Sequence, residues 1–180
     1  MRTETVIRLL PPALVCAAPA WAVEYLSISQ AQAALFSNRC SFAAHPVTLT
    51  ADQRKAIKAA SGVTQRTDTQ SVWRVFRDEK PAGWFLVDQV IGKHEFITYA
   101  AALSDDGRVL GVEILDYRET HGGQVQRAEW RRTFVGKTLA DPFKLDQDVP
   151  NISGATLSCR NVMNGVKRLL ALQRVVLAHE

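Results

Sequence analysis

The chain has 180 residues, 47% of them hydrophobic and 22% charged, with a net charge of +4. That balance builds one domain with a real core and excludes a disordered chain. The basic charge is scattered, with no run of like charge long enough to form a nucleic-acid or membrane-binding block, so no nucleic-acid partner is expected.

Residues 1–22 read as an export signal. Arg2 and Arg8 give a positive start, Leu9 to Pro19 an apolar run, and Ala20-Trp21-Ala22 a small-residue cleavage site. Val15 before Cys16 is too large for a lipoprotein site. Beyond this segment no stretch is long and apolar enough to cross a bilayer. The expected location is therefore periplasmic or at the outer face of the cytoplasmic membrane. Without Cys16, two cysteines remain, Cys40 and Cys159. A disulfide between them is open but not expected. The four histidines, His45, His94, His121 and His179, have no metal-ligand spacing, and no metal site is expected.

Residues 23–90 read as an N-terminal region of helices and a hairpin. Residues 23–36 suit a short helix capped at Ser27 or Ser29. Residues 37–50, with Pro46, read as loop and extended chain. Thr50 caps a helix from Ala51 to Ala60 that Gly62 closes. Val72 to Phe76 and Trp84 to Asp88 read as two strands about a turn at Pro81-Ala82-Gly83.

Residues 91–174 read as a second region. Phe96 to Leu103 and Arg108 to Tyr117 are strands about the turn Asp105-Asp106-Gly107. Arg118 to Gln124 is a polar loop with Gly122-Gly123. Gln126 to Phe134 suits a helix ended by Gly136, on which Trp130 and Phe134 read as core. Thr156 to Leu172 is the clearest helix, apolar on one face, with Arg160, Lys167 and Arg168 assigned to solvent. The fold class is α+β, an antiparallel sheet packed by the C-terminal helix and one or two further helices.

The chemistry concentrates at Ser153-Gly154-Ala155-Thr156-Leu157-Ser158. Small residues let backbone approach a ligand, and the helix start behind them favours a phosphate. From the residues alone a turn and a helix cap is the favoured reading, since caps are far commoner than ligand sites. Arg118 and Lys137 are candidate phosphate partners or solvated cations. Glu119 and His121, with Gly122 and Gly123, are candidates to face a ligand from their loop.

Ser153 to Ser158 and the helix after them resemble the flavinylation motif of the FMN-binding domain family, which includes the C subunit of sodium-translocating NADH:quinone reductase and the G subunit of the Rnf complex. Asp105 to Val112, Tyr117 to Gly123 and Trp130 to Lys137 are similar to that family's hairpin, Glu-containing loop and aromatic stretch, in the same order. The resemblance implies FMN joined through its phosphate to Thr156 by a magnesium-dependent flavin transferase that takes FMN from FAD. It implies an exported electron carrier with a membrane redox partner rather than a self-sufficient enzyme. A flavin-dependent reductase of a small acceptor and a flavin-free exported binding module are the alternatives. No catalytic residue is assigned. Two departures stand out: Pro150 replaces the family's Asp, with Asp146 and Asp148 nearby, and Cys159 replaces a frequent Ser.

Overall fold

The computed structural model describes residues 26–36 and 38–179. The expected export signal lies outside them. Among the described residues no helix is long and apolar enough to cross a membrane.

Helix α1 (Ile28–Leu35) starts at Ser27, whose hydroxyl accepts from the Gln30 amide while the Gln30 side chain returns to the Ser27 amide. Thr50 and Gln53 form the same reciprocal box on α2 (Ala51–Ser61), and Gly62 closes that helix at φ +75°. Between them, residues expected to be loop and extended chain form two short strands, β1 (Cys40–Ala44) and β2 (Val47–Thr48). Both pair with β3 (Thr69–Arg77). The pairing partner is distant in sequence, so local composition does not reveal it.

Strand β3 turns into β4 (Lys80–Ile91) at Asp78-Glu79, both left-handed at φ +50° and +62°. This is a tight two-residue hairpin. The turn expected at Pro81-Ala82-Gly83 is therefore corrected. Those residues lie inside β4, where Gly83 takes φ +127° beside the backbone of Leu103. Next come β5 (Phe96–Leu103) and β6 (Val109–Tyr117). The sheet is antiparallel throughout, in the order β1-β3-β4-β5-β6, with β2 extending along β3. After it come a short turn of helix at Gly123–Gln126, α3 (Ala128–Arg132) and α4 (Thr156–Val175).

Alternation along the central strands divides the core between two faces. Leu86, Ile97, Tyr99, Ala101 and Leu103 meet α4 and α2 in the larger cluster; Phe85, Ala100 and Ala102 meet α1 in the smaller. Cys159 belongs to the first face and Cys40 packs against the second, so they do not pair with each other. Trp130 and Phe134 are buried and edge-on, 5.1 Å between ring centres, as expected for core.

Arg168 contradicts its assignment to solvent. It is 5% exposed, because α4 lies flat on the sheet and a third row of its side chains is enclosed. Arg168 donates to Asp88 and, at 2.5 Å, to Gln65, while the Tyr99 hydroxyl donates to the same Asp88 carboxylate at 2.6 Å. The charge is buried with its partners, which hydropathy periodicity cannot foresee.

Candidate functional site

Helix α4 runs along the sheet in one direction. Asn161 near its start donates to the Ile91 carbonyl at 2.6 Å, and Gln173 near its end to the Asp105 carbonyl at 2.9 Å. The segment Ser153 to Ser158 thus lies at the end of the sheet where β4 leaves, β5 begins and β6 ends.

The turn into α4 is tight. Gly154 takes φ +80°, and the Ala155 amide donates to the Ile152 carbonyl at 2.9 Å. Ala155 is the N-cap, and no side chain caps the helix. Thr156 is the first helical residue and is partly exposed; Ser153 and Gly154 are exposed, and Leu157 is 43% exposed. The reading of Thr156 as a helix cap therefore does not describe this terminus. An uncapped helix start leaves backbone N–H groups and the positive dipole end for an anion. This donor set fits a phosphate, with a hydroxyl at the first helical residue.

Ser158 differs from its neighbours. It is 3% exposed and its hydroxyl is 3.4 Å from that of Tyr117. The Tyr117 hydroxyl also donates to the His121 carbonyl at 2.6 Å. Burial pushes the Tyr117 pKa up, which keeps this donor protonated. Gly122, at φ +84°, lies directly against Ala155: a Cβ there would collide with Ala155 and sit 2.8 Å from the Tyr117 hydroxyl. The two glycine-containing segments singled out in the sequence, 118–123 and 153–158, are in contact.

Glu119 is engaged elsewhere. Its Oε1 accepts from the amides of His94 at 2.6 Å and Glu95 at 3.0 Å, at the tip of the β4–β5 hairpin. What burial it has opposes ionisation, but the His94, Glu95 and Lys93 amides outweigh this and hold its pKa below the usual range. Gly92 leaves room for that carboxylate. Glu119 therefore ties the loop to the hairpin. Arg118 is exposed and pairs with Asp116 at 3.0 Å; His121 and Gly123 are exposed.

Lys137 is spent on Asp148, at 2.8 Å, and both are largely enclosed. Asp148 also accepts from the amides of Phe143 and Lys144. Burial would raise its pKa, but Lys137 and the two amides prevail and hold it low. Asp148 is thus a structural anchor, and Asp146, which accepts from the Asn151 amide at 3.3 Å, is the more exposed of the two carboxylates near Pro150. Pro150 itself supplies the carbonyl that takes the Trp130 indole N–H at 2.8 Å. Cys159 is buried, and burial raises its thiol pKa, as for a passive core residue.

Sequence reasoning missed a cleft of about 340 Å³ beside the motif, lined by Gln124, Arg127, Glu129, Trp130, Pro150 and Ile152. Two buried side-chain atoms without a partner adjoin it in sequence, Arg131 Nε and Asn151 Oδ1. The cleft depends on Pro150 meeting Trp130 across 20 residues of chain, and nothing local encodes it.

Residues 92–171 match the FMN-binding domain family. The chain is 35% identical over 83 residues to the G subunit of the ion-translocating oxidoreductase complex of Stutzerimonas stutzeri, an alignment that spans 40% of this chain and 36% of that protein. The crystal structure of NqrC from Shewanella oneidensis superposes with a TM-score of 0.54 at 19% identity, covering 82% of this chain and 86% of that one. That similarity extends the fold to both halves of the sheet.

Proposed function

From the premise that residues 92–171 are an FMN-binding domain, we propose that this protein is an exported electron carrier with FMN joined through its phosphate to Thr156. The observation that carries the proposal is the start of α4, a helix N-terminus with no side-chain cap and a threonine at its first position. There the hydroxyl of Thr156 would lose its proton and form the phosphoester as the pyrophosphate bond of FAD breaks and AMP leaves, while the amides of the first turn and the helix dipole would hold the phosphate oxygens. Ser153 and Gly154 give the backbone turn that exposes those amides, and Ala155 and Leu157 flank the threonine. Gly122 lies against Ala155, His121, Gly123 and Arg118 would flank the flavin from the same loop, and Ser158 would contribute through Tyr117.

Bound FMN supplies one- and two-electron redox chemistry that no side chain here offers. The protein's own part is to hold, orient and shield it. A covalent link suits a carrier outside the cytoplasm, where lost cofactor is not replaced. The partners proposed are a flavin transferase during maturation and a membrane redox protein in service. The curated relative is a subunit of an ion-translocating complex, which favours a membrane partner over a soluble one.

The test is intact mass of the protein produced with a flavin transferase. The expected result is a gain of one FMN less one water, mapped to the peptide containing Thr156. An unmodified, colourless protein would refute the proposal and favour the flavin-free binding module. Colour without a mass gain would leave non-covalent FMN and reopen the small-acceptor reductase.

A further inference from the structure

We infer that Tyr117 is a positioning residue for the flavin site, holding the loop Arg118 to Gly123 against the first turn of α4. The inference rests on the reading of Thr156 as the attachment residue, but its geometry stands apart from that reading. Tyr117 is the last residue of β6 and is 4% exposed. Its hydroxyl reaches two elements at once: it donates to the His121 carbonyl at 2.6 Å and lies 3.4 Å from Ser158 on α4.

Other attachments hold the loop near its two ends, where Arg118 pairs with Asp116 and the Gly122 carbonyl accepts from the Val125 amide. Glu119 fixes its start to the hairpin tip, and Gly122 rests on Ala155. Between these two points His121 and Thr120 are exposed, and the Tyr117 hydroxyl is the bond that draws this stretch toward α4. Gly122 is required for the same reason. A side chain there would push against both Ala155 and the Tyr117 hydroxyl, and would carry a left-handed backbone. Thr156 directly follows Ala155, so whatever is attached to it has this loop as a neighbour. The loop position then decides the polarity and mobility around the attached group.

Tyr117→Phe keeps the ring in the core and removes only the donor. Two readouts separate the inference from a purely structural role. The first is trypsin cleavage after Arg118, which needs no flavin. Loss of one hydrogen bond should speed it about three- to tenfold, with cleavage in the rest of the chain unchanged. The second is the flavin of the FMN-loaded protein, whose fluorescence should rise and anisotropy fall in the variant. Gly122→Ala, which keeps the hydroxyl but wedges the loop from Ala155, should move both signals in the same direction.

Unchanged cleavage and unchanged fluorescence in Tyr117→Phe would overturn the inference. Faster cleavage with an unaltered flavin signal would also overturn it, leaving Tyr117 a loop anchor only. Absence of FMN from the wild-type chain would defeat the attachment reading instead, while the cleavage result would still show whether Tyr117 holds the loop.

Discussion

The two ends of one stretch of α4 are built on opposite plans. At Arg168 every charge and polar atom is matched: guanidinium to Asp88 and Gln65, tyrosine hydroxyl to the same carboxylate. Twelve residues earlier, about 18 Å along the axis at 1.5 Å per residue, the helix begins with no cap and with small, partly exposed residues. The middle of the helix holds α2, β4, β5 and α4 together. In the first turn Ser158 and Cys159 face the core, but Thr156 and Leu157 face outward and no side chain caps the helix, which leaves its first amides available to a ligand. Local stability is unequal along many folds, and binding segments are drawn from the weaker end.

The largest expected effect comes from breaking the stronger region. Arg168→Ala leaves Asp88 enclosed without its countercharge, and should lower stability by about 3–5 kcal/mol in urea unfolding. Arg168→Lys should recover only part, because an ammonium does not reproduce a guanidinium's two-partner geometry. A loss below about 1 kcal/mol would mean that the cluster does not anchor the helix.

A second substitution probes how closely the same region is packed. At Gly165 a Cβ would collide with the Tyr99 hydroxyl and lie 3.0 Å from Val90. Gly165→Ala should cost about 1–3 kcal/mol by overpacking, despite the better helix propensity of alanine. A stabilised variant would show that α4 can lift from the sheet at little cost.

The segment that leads into α4 is intermediate. Asp148 is held ionised by Lys137 and two amides. Its folded pKa is depressed, so its contribution is present above the unfolded value of about 4 and is lost as pH falls through the folded one. Asp148→Asn should cost about 1–2 kcal/mol at neutral pH and flatten the acid limb of the stability curve. An unaltered acid limb would remove Asp148 from this role.

How far each region was legible follows from how local its causes are. The start of α4 was visible because Gly154, Ala155 and Thr156 are adjacent, and the order of segments from residue 105 to 158 carries a family pattern. The caps at Ser27 and Thr50 were visible for the same reason. The Arg168 cluster was not, since its partners are 80 and 103 residues away in sequence. Strands β1 and β2 were legible only as extended chain within a loop, because their pairing to β3 is long-range. The β3–β4 turn was misplaced because a proline and a glycine at 81 and 83 outweighed Asp78-Glu79, which adopt left-handed backbone without glycine. Glu119 was a candidate to face a ligand, yet its amide partners at 94 and 95 are visible only in three dimensions.

The smallest effect on stability is expected where the effect on function is total. Thr156 is not the N-cap, and its replacement removes no capping hydrogen bond. Thr156→Ala should therefore shift unfolding by no more than about 0.5 kcal/mol, as for substitutions that touch none of the usual stabilising devices. The same change should abolish covalent FMN, read by intact mass, because Ser158 is buried against Tyr117 and Ser153 lies outside the helix. A large loss of stability would show that the first turn does support the fold and that the contrast along α4 is false. FMN retained at Ser153 would keep the anion site but move the attachment point to the turn that precedes it.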